Sequence, residues 1–142
     1  MPLLTLTFNA GDKMKNVFPV ASIGLALVFV AGCADEVKFQ KSTLNPYSDG
    51  RSNTYFLSNT VVGSAENASQ STLVEGSVWE RYGSSAEGTV FKPVGAIVNV
   101  SGRHSHEAYI VISSETWVGF WFPYERAFSP LTKSVPVILN KR

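Results

Sequence analysis

From Leu73 onward, apolar residues come in short runs broken by Gly, Ser or Pro, and no window carries them at helical spacing for long enough to make a long helix. The pattern predicts strands. Residues 73–82 can alternate, and Gly83-Ser84-Ser85 ends them; 89–92 and 94–100 follow, joined through Pro93, which suits an edge or kinked strand because proline donates no ladder hydrogen bond. Ser101-Gly102-Arg103-His104-Ser105-His106 reads as a loop. Residues 108–113 and 117–122 form the clearest pair, separated by Ser114-Glu115-Thr116. In the second of these, Trp117, Gly119 and Trp121 are expected on one face and Val118, Phe120 and Phe122 on the other. Both faces then need cover, which places the strand inside a sheet. Residues 123–128 open on a proline suited to a first helical turn and close at Ser129-Pro130, so a single turn of helix is expected there. Residues 135–139 contain Pro136 and read as a last strand at an edge or barrel-closing position.

Five or six strands in the last 70 residues, without repeats, predict a mostly β fold: a small antiparallel β-barrel or β-sandwich with one short helical turn. The order of meander, helical turn and final strand resembles an SH3-like barrel in outline. Upstream the pattern changes. Fifteen of residues 42–72 are Ser, Thr or Asn, with Pro46, Gly50 and Gly63 as breakers. Two readings fit this segment. It is either a tether, whose 30 or so flexible residues would reach roughly 30 Å, or a polar edge of the domain in which residues 55–57 and 60–62 form short strands. The domain boundary is drawn at Leu73.

The strongest polarity contrast lies nearer the start. Lys13 and Lys15 precede an uncharged stretch, residues 16–34, whose apolar part spans 17–31. That is the basic and apolar layout of an export signal, and it is shorter than the roughly 20 residues that cross a bilayer as a helix. The run ends in Val30-Ala31-Gly32-Cys33, which resembles the bacterial lipobox, a branched apolar residue and two small ones before an acylated cysteine. The resemblance implies cleavage between Gly32 and Cys33 and a covalent lipid on Cys33. It also implies a bacterial cell envelope location, lipid-anchored, and the outer membrane is favoured because Ala34 rather than Asp follows the cysteine. Several acyl chains hold durably where one holds marginally. Residues 1–13 do not fit a signal peptide, whereas Met14-Lys15-Asn16 does. The expected organisation is therefore 1–13 as a start extension, 14–32 as signal peptide, 33–72 as lipidated terminus and tether, and 73–142 as the β-domain.

Composition narrows the function. Ten Lys or Arg and ten Asp or Glu follow Cys33, so a chain starting there has no net charge and no basic field for nucleic acid. Cys33 is the sole cysteine, which excludes a disulfide within the chain and leaves the domain to hold by packing.

Candidate chemistry is sparse. His104 and His106 would project to one side of an extended segment, with Glu107 pointing away, and form a weak metal pair. No Gly-x-Ser-x-Gly elbow appears, and the spacing of Glu75, Glu80 and Glu87 does not select a catalytic pair. No catalytic residue and no cofactor beyond the lipid are therefore expected. Trp117, Trp121, Tyr124 and Arg126 are of the types enriched at interfaces. The expected function is a membrane-anchored, non-enzymatic accessory of an envelope assembly for secretion, conjugation or a surface structure, with an envelope protein as partner. A module binding cell-wall glycan or a small ligand is one alternative, and a metal-handling lipoprotein acting through His104 and His106 is the other.

Overall fold

The computed structural model describes residues 35–48 and 53–142. The start extension, the signal peptide and Cys33 with its cleavage site lie outside these residues.

Asp35–Arg142 form one compact unit, so the boundary expected at Leu73 moves to Asp35. Its strands are β1 (Gln40–Lys41), β2 (Asn45–Pro46), β3 (Thr54–Leu57), β4 (Val61–Gly63), β5 (Ser71–Leu73) and β6 (Val78–Ser85). After them come β7 (Gly88–Pro93), β8 (Val98–Ser101), β9 (Ser105–Ser113), β10 (Thr116–Phe122), β11 (Ala127–Pro136) and β12 (Leu139–Lys141). The fold is mostly β, as the pattern predicts, with a large antiparallel sheet in the order β12-β3-β6-β7-β9-β10-β11-β1. In addition β2 pairs with β6 and β8 with β9, while β4 and β5 make a separate hairpin.

The polar segment therefore belongs to the domain edge and is not a tether. Few of its residues are apolar, but Leu57, Val61, Ala65 and Leu73 are all buried in the main core, and upstream of them so is Val37. β3, β4 and β5 are each fixed by one such anchor, Leu57, Val61 and Leu73, while the Ser, Thr and Asn residues between them largely face water.

β10 is flanked by β9 and β11 and buries both faces. Phe120 and Phe122 join Ala108 and Ile110 of β9 in the main core, whereas Trp121 joins Tyr109, Val111, Val90 and Phe128 on the other side of the sheet. Trp117 departs from the expected alternation, since it lies with Phe120 and Phe122 rather than with Trp121. The reason is a register shift between Trp117 and Gly119 in the β10–β11 ladder. One extra residue in a strand reverses the parity of everything before it. The Trp117 indole N–H donates back to the Gly119 carbonyl at 3.0 Å, so the buried ring keeps its hydrogen bond across the bulge.

Two other expectations change. Residues 123–128 contain no helix; Pro123 to Arg126 form the turn between β10 and β11. One bond of helical spacing, Arg126 N–H to Phe122 O at 2.8 Å, closes it, and Arg126 itself sits at φ 56°. The single last strand expected at 135–139 becomes two: β11 begins at Ala127, and β12 follows Pro136 after a short break. The β4–β5 hairpin attaches to β11 through an Ala65–Leu131 bridge and through the Thr132 N–H to Ser64 O bond of 2.9 Å. Near β8, Ser69 N–H donates to Ser101 O at 2.7 Å, but among the described residues β5 and β8 do not pair as strands.

Gly119 is the position on which this packing turns. A Cβ there would stand 2.5 Å from Ser129 O and 2.6 Å from the Phe128 ring, both held in β11. Gly119→Ala is expected to destabilise the domain by about 1–3 kcal/mol, the usual cost of overpacking a closed core. Equilibrium urea unfolding checks this, and an unchanged midpoint would contradict it.

Candidate functional site

Ionisable side chains converge at one end of β9, where its partners are far away in sequence. His106 is the second residue of β9 and faces the main core, as do Ala108 and Ile110 further along the strand. Its ring packs edge-on against Phe39 at 5.1 Å and Phe122 at 6.0 Å. Nδ1 lies 2.6 Å from the Glu125 carboxylate in the β10–β11 turn. Nε2 is shut off from water and stands 3.4 Å from Glu36 Oε2, without the alignment of a hydrogen bond. An imidazolium supplies a donor to each of these carboxylates, whereas the neutral ring supplies only one.

His104 lies on the same side, as the spacing predicts, but it is exposed and its Nε2 is 4.0 Å from the same Glu36 oxygen. The two histidines share a carboxylate as neighbour, and one of them has both ring nitrogens facing carboxylates. Among the described residues no group of three or more His, Cys, Asp or Glu is placed to hold a metal ion. Glu107 falls on the other face of β9, where with Tyr82 and Tyr124 it adds to the effect of burial in pushing the Tyr109 phenol above its ordinary value.

Glu36 ties the N-terminal segment to this cluster. Its Oε1 accepts the Val37 backbone N–H at 2.9 Å and, more weakly, the His104 N–H at 3.4 Å. The Val37 bond is the main reason the carboxyl is held below the usual carboxylate range; burial opposes it, and the His104 N–H and His106 ring reinforce it. The strap continues through Phe39, which stacks edge-on against both His106 and Phe122, and Lys38, which pairs with Glu66 at 3.1 Å. Further along, the Ser42 hydroxyl donates to Glu87 at 2.6 Å. Residues 36–42 are thus pinned at four places over the end of the sheet.

The four expected interface residues divide evenly. Trp117 and Trp121 are buried and belong to the two cores, which corrects their reading as anchors; a strand sheltered on both faces leaves neither at the surface. Tyr124 is 78% exposed at the tip of the β10–β11 turn, and Arg126 beside it is exposed too. Arg126 borders an open polar depression of about 760 Å³ with Lys41, Glu87 and Glu125, where positive and negative groups are mixed. The residue types alone do not reveal Val74, Val94 and Ile97, which are exposed at 57%, 45% and 69%. The sequence pattern assigns residues 94–97 to a strand, whereas they form an irregular link between β7 and β8. Its signal in the sequence is a four-residue run, Val94-Gly95-Ala96-Ile97, with no charge.

Because folding lowers the Glu36 pKa, its contribution to stability is present above the unfolded-state value and is lost as the pH falls through the folded-state value. Glu36→Gln removes that contribution at every pH. The variant is expected to melt below the parent protein at pH 7, with the gap narrowing as both are taken below the ordinary carboxylate range. Melting curves recorded across that range check this, and a gap independent of pH would contradict it. No family model, curated protein or solved structure matches this chain.

Proposed function

We propose that this chain is a lipid-anchored lipoprotein of the bacterial cell envelope, attached through Cys33, whose β-domain binds an envelope protein partner and performs no chemistry of its own. The observation that carries the reading is the Val30-Ala31-Gly32-Cys33 motif closing an uncharged apolar run immediately before a folded domain. In this reading the peptidase cuts between Gly32 and Cys33, the thiol accepts the diacylglyceryl group, and Ala34 in the following position favours the outer membrane.

The fold sharpens one consequence. The compact unit begins at Asp35, and Val37 is already in the core, so Ala34 alone stands between the lipidated residue and the domain. The two residue steps from Cys33 to Asp35 span at most about 7 Å. The domain then rides at the membrane surface, and its partner must be reachable there. The exposed Tyr124 at a turn tip, a side chain with large contact area and few rotatable bonds, supports protein recognition.

Expression of the full chain with labelled palmitate, followed by membrane fractionation, tests the anchor. The parent protein is expected to take up label and sediment with the outer membrane, and Cys33→Ser to lose the label and leave the membrane. An unlabelled parent chain, or a Cys33→Ser variant that still sediments with membrane, would overturn the reading.

A further inference from the structure

A seam lies between β5 and β8. The chain entering β5 is tied to the end of β8, where Ser69 N–H donates to Ser101 O at 2.7 Å and the Ser69 hydroxyl accepts the Ser101 N–H at 3.2 Å. At the other end the Val94 N–H to Val78 O bond of 2.9 Å closes β6 onto the chain leaving β7. Between these ends, among the described residues, β5 pairs with β4 alone and β8 with β9 alone. Each therefore offers one edge without a ladder partner.

A groove of about 410 Å³ opens along those edges. Leu73 and Trp79 form its buried floor, and Val74, Val94 and Ile97 stand exposed around its mouth. No charged side chain lines it. Natural sheets guard open edges with lysine, inward charge or proline, because a bare edge recruits another strand. Neither β5 (Ser71–Leu73) nor β8 (Val98–Ser101) carries a charge or a proline, and the apolar side chains beside them are turned to water. An edge left unguarded among the described residues, next to apolar side chains that stay about half exposed, fits strand addition, in which main-chain bonds give affinity and flanking pockets read alternate side chains.

We propose that this seam receives an extended, uncharged, apolar segment of the partner protein, which adds as a strand along β5 and β8 and buries its side chains against Val74, Val94 and Ile97. This rests on the protein-binding reading above and names where and by what chemistry the partner is held. A second copy of this chain and a lipid surface are the competing occupants.

The test is photocrosslinking of the full chain in its native cells, with p-benzoylphenylalanine replacing Ile97 in one strain and Tyr124 in another. The expected result is an adduct from position 97 to one envelope protein, mapped by peptide mass spectrometry to an uncharged apolar stretch. Its yield should fall about tenfold or more when Val94→Asp puts a charge at the mouth. Val94 is exposed, so the same variant should keep the parent melting temperature. An adduct from position 124 with none from 97 overturns the seam and leaves the protein-binding reading standing. No protein adduct from either position overturns both. Adducts from 97 to lipid, to a second copy of this chain or to a charged segment overturn the seam proposal, as does a position-97 adduct unaffected by Val94→Asp in a folded protein.

Discussion

A strand with bulky side chains on both faces can exist only in the middle of a domain, and that constraint on β10 organises this one. Trp117, Phe120 and Phe122 need one core and Trp121 needs another, so the sheet must be covered twice by a chain of modest length without a disulfide. The main core is covered by the hairpin of β4 and β5, by β3 and β6, and by the strap at Val37. The smaller one is covered by Leu44 and Tyr82. The bulge at Gly119 reconciles the two by moving Trp117 to the larger side, where its wide ring has room. Burial at this scale, of order 1.5–3 kcal/mol for each large side chain, stands in for the cross-link the chain lacks.

The same constraint explains why the polar segment from Asp35 to Thr72 is part of the fold. Covering two faces needs strands, and the 70 residues after Leu73 do not provide enough of them. The region from Asp35 to Thr72 supplies the rest with few apolar residues. Each of them is placed where it closes a gap: Val37 beside Gly102, whose Cβ would meet it at 2.8 Å, and Leu57 and Val61 at the core margin. Glu36 then brings that strap beside His106, its carboxylate 3.4 Å from the ring nitrogen.

Legibility followed the density of the apolar signal. The β9–β10 pair is legible because two dense apolar runs are separated by the polar residues Ser114-Glu115-Thr116. The parity of Trp117 was not, because a bulge comes from tertiary packing against Phe128 and Ser129, and no residue of β10 encodes it alone. β11 was missed because Ser129-Pro130 reads as a stop. In the sheet Ser129 pairs with Phe120 and Pro130 with Gly119, at the register shift, where a proline costs the ladder little. At the site, the spacing of His104 and His106 puts both on one side, but Glu36 lies 68 residues from His104, and Glu125 lies in a turn whose opening proline predicts a helical turn instead. The open seam was hidden for a related reason: an unpaired edge is a property of the whole topology, and residues 94–97 look like ordinary strand until β8 begins only at Val98.

In the proposed lipoprotein an anchor and a domain are joined with almost no chain between them, and the mass of the mature N-terminus tests that junction most directly. Proteolysis of the membrane-extracted protein followed by mass spectrometry is predicted to give a first peptide that begins at Cys33 and carries the added mass of diacylglycerol, with no peptide from upstream. A mature chain that retains residues before Cys33, or a first peptide whose Cys33 is unmodified, would contradict it.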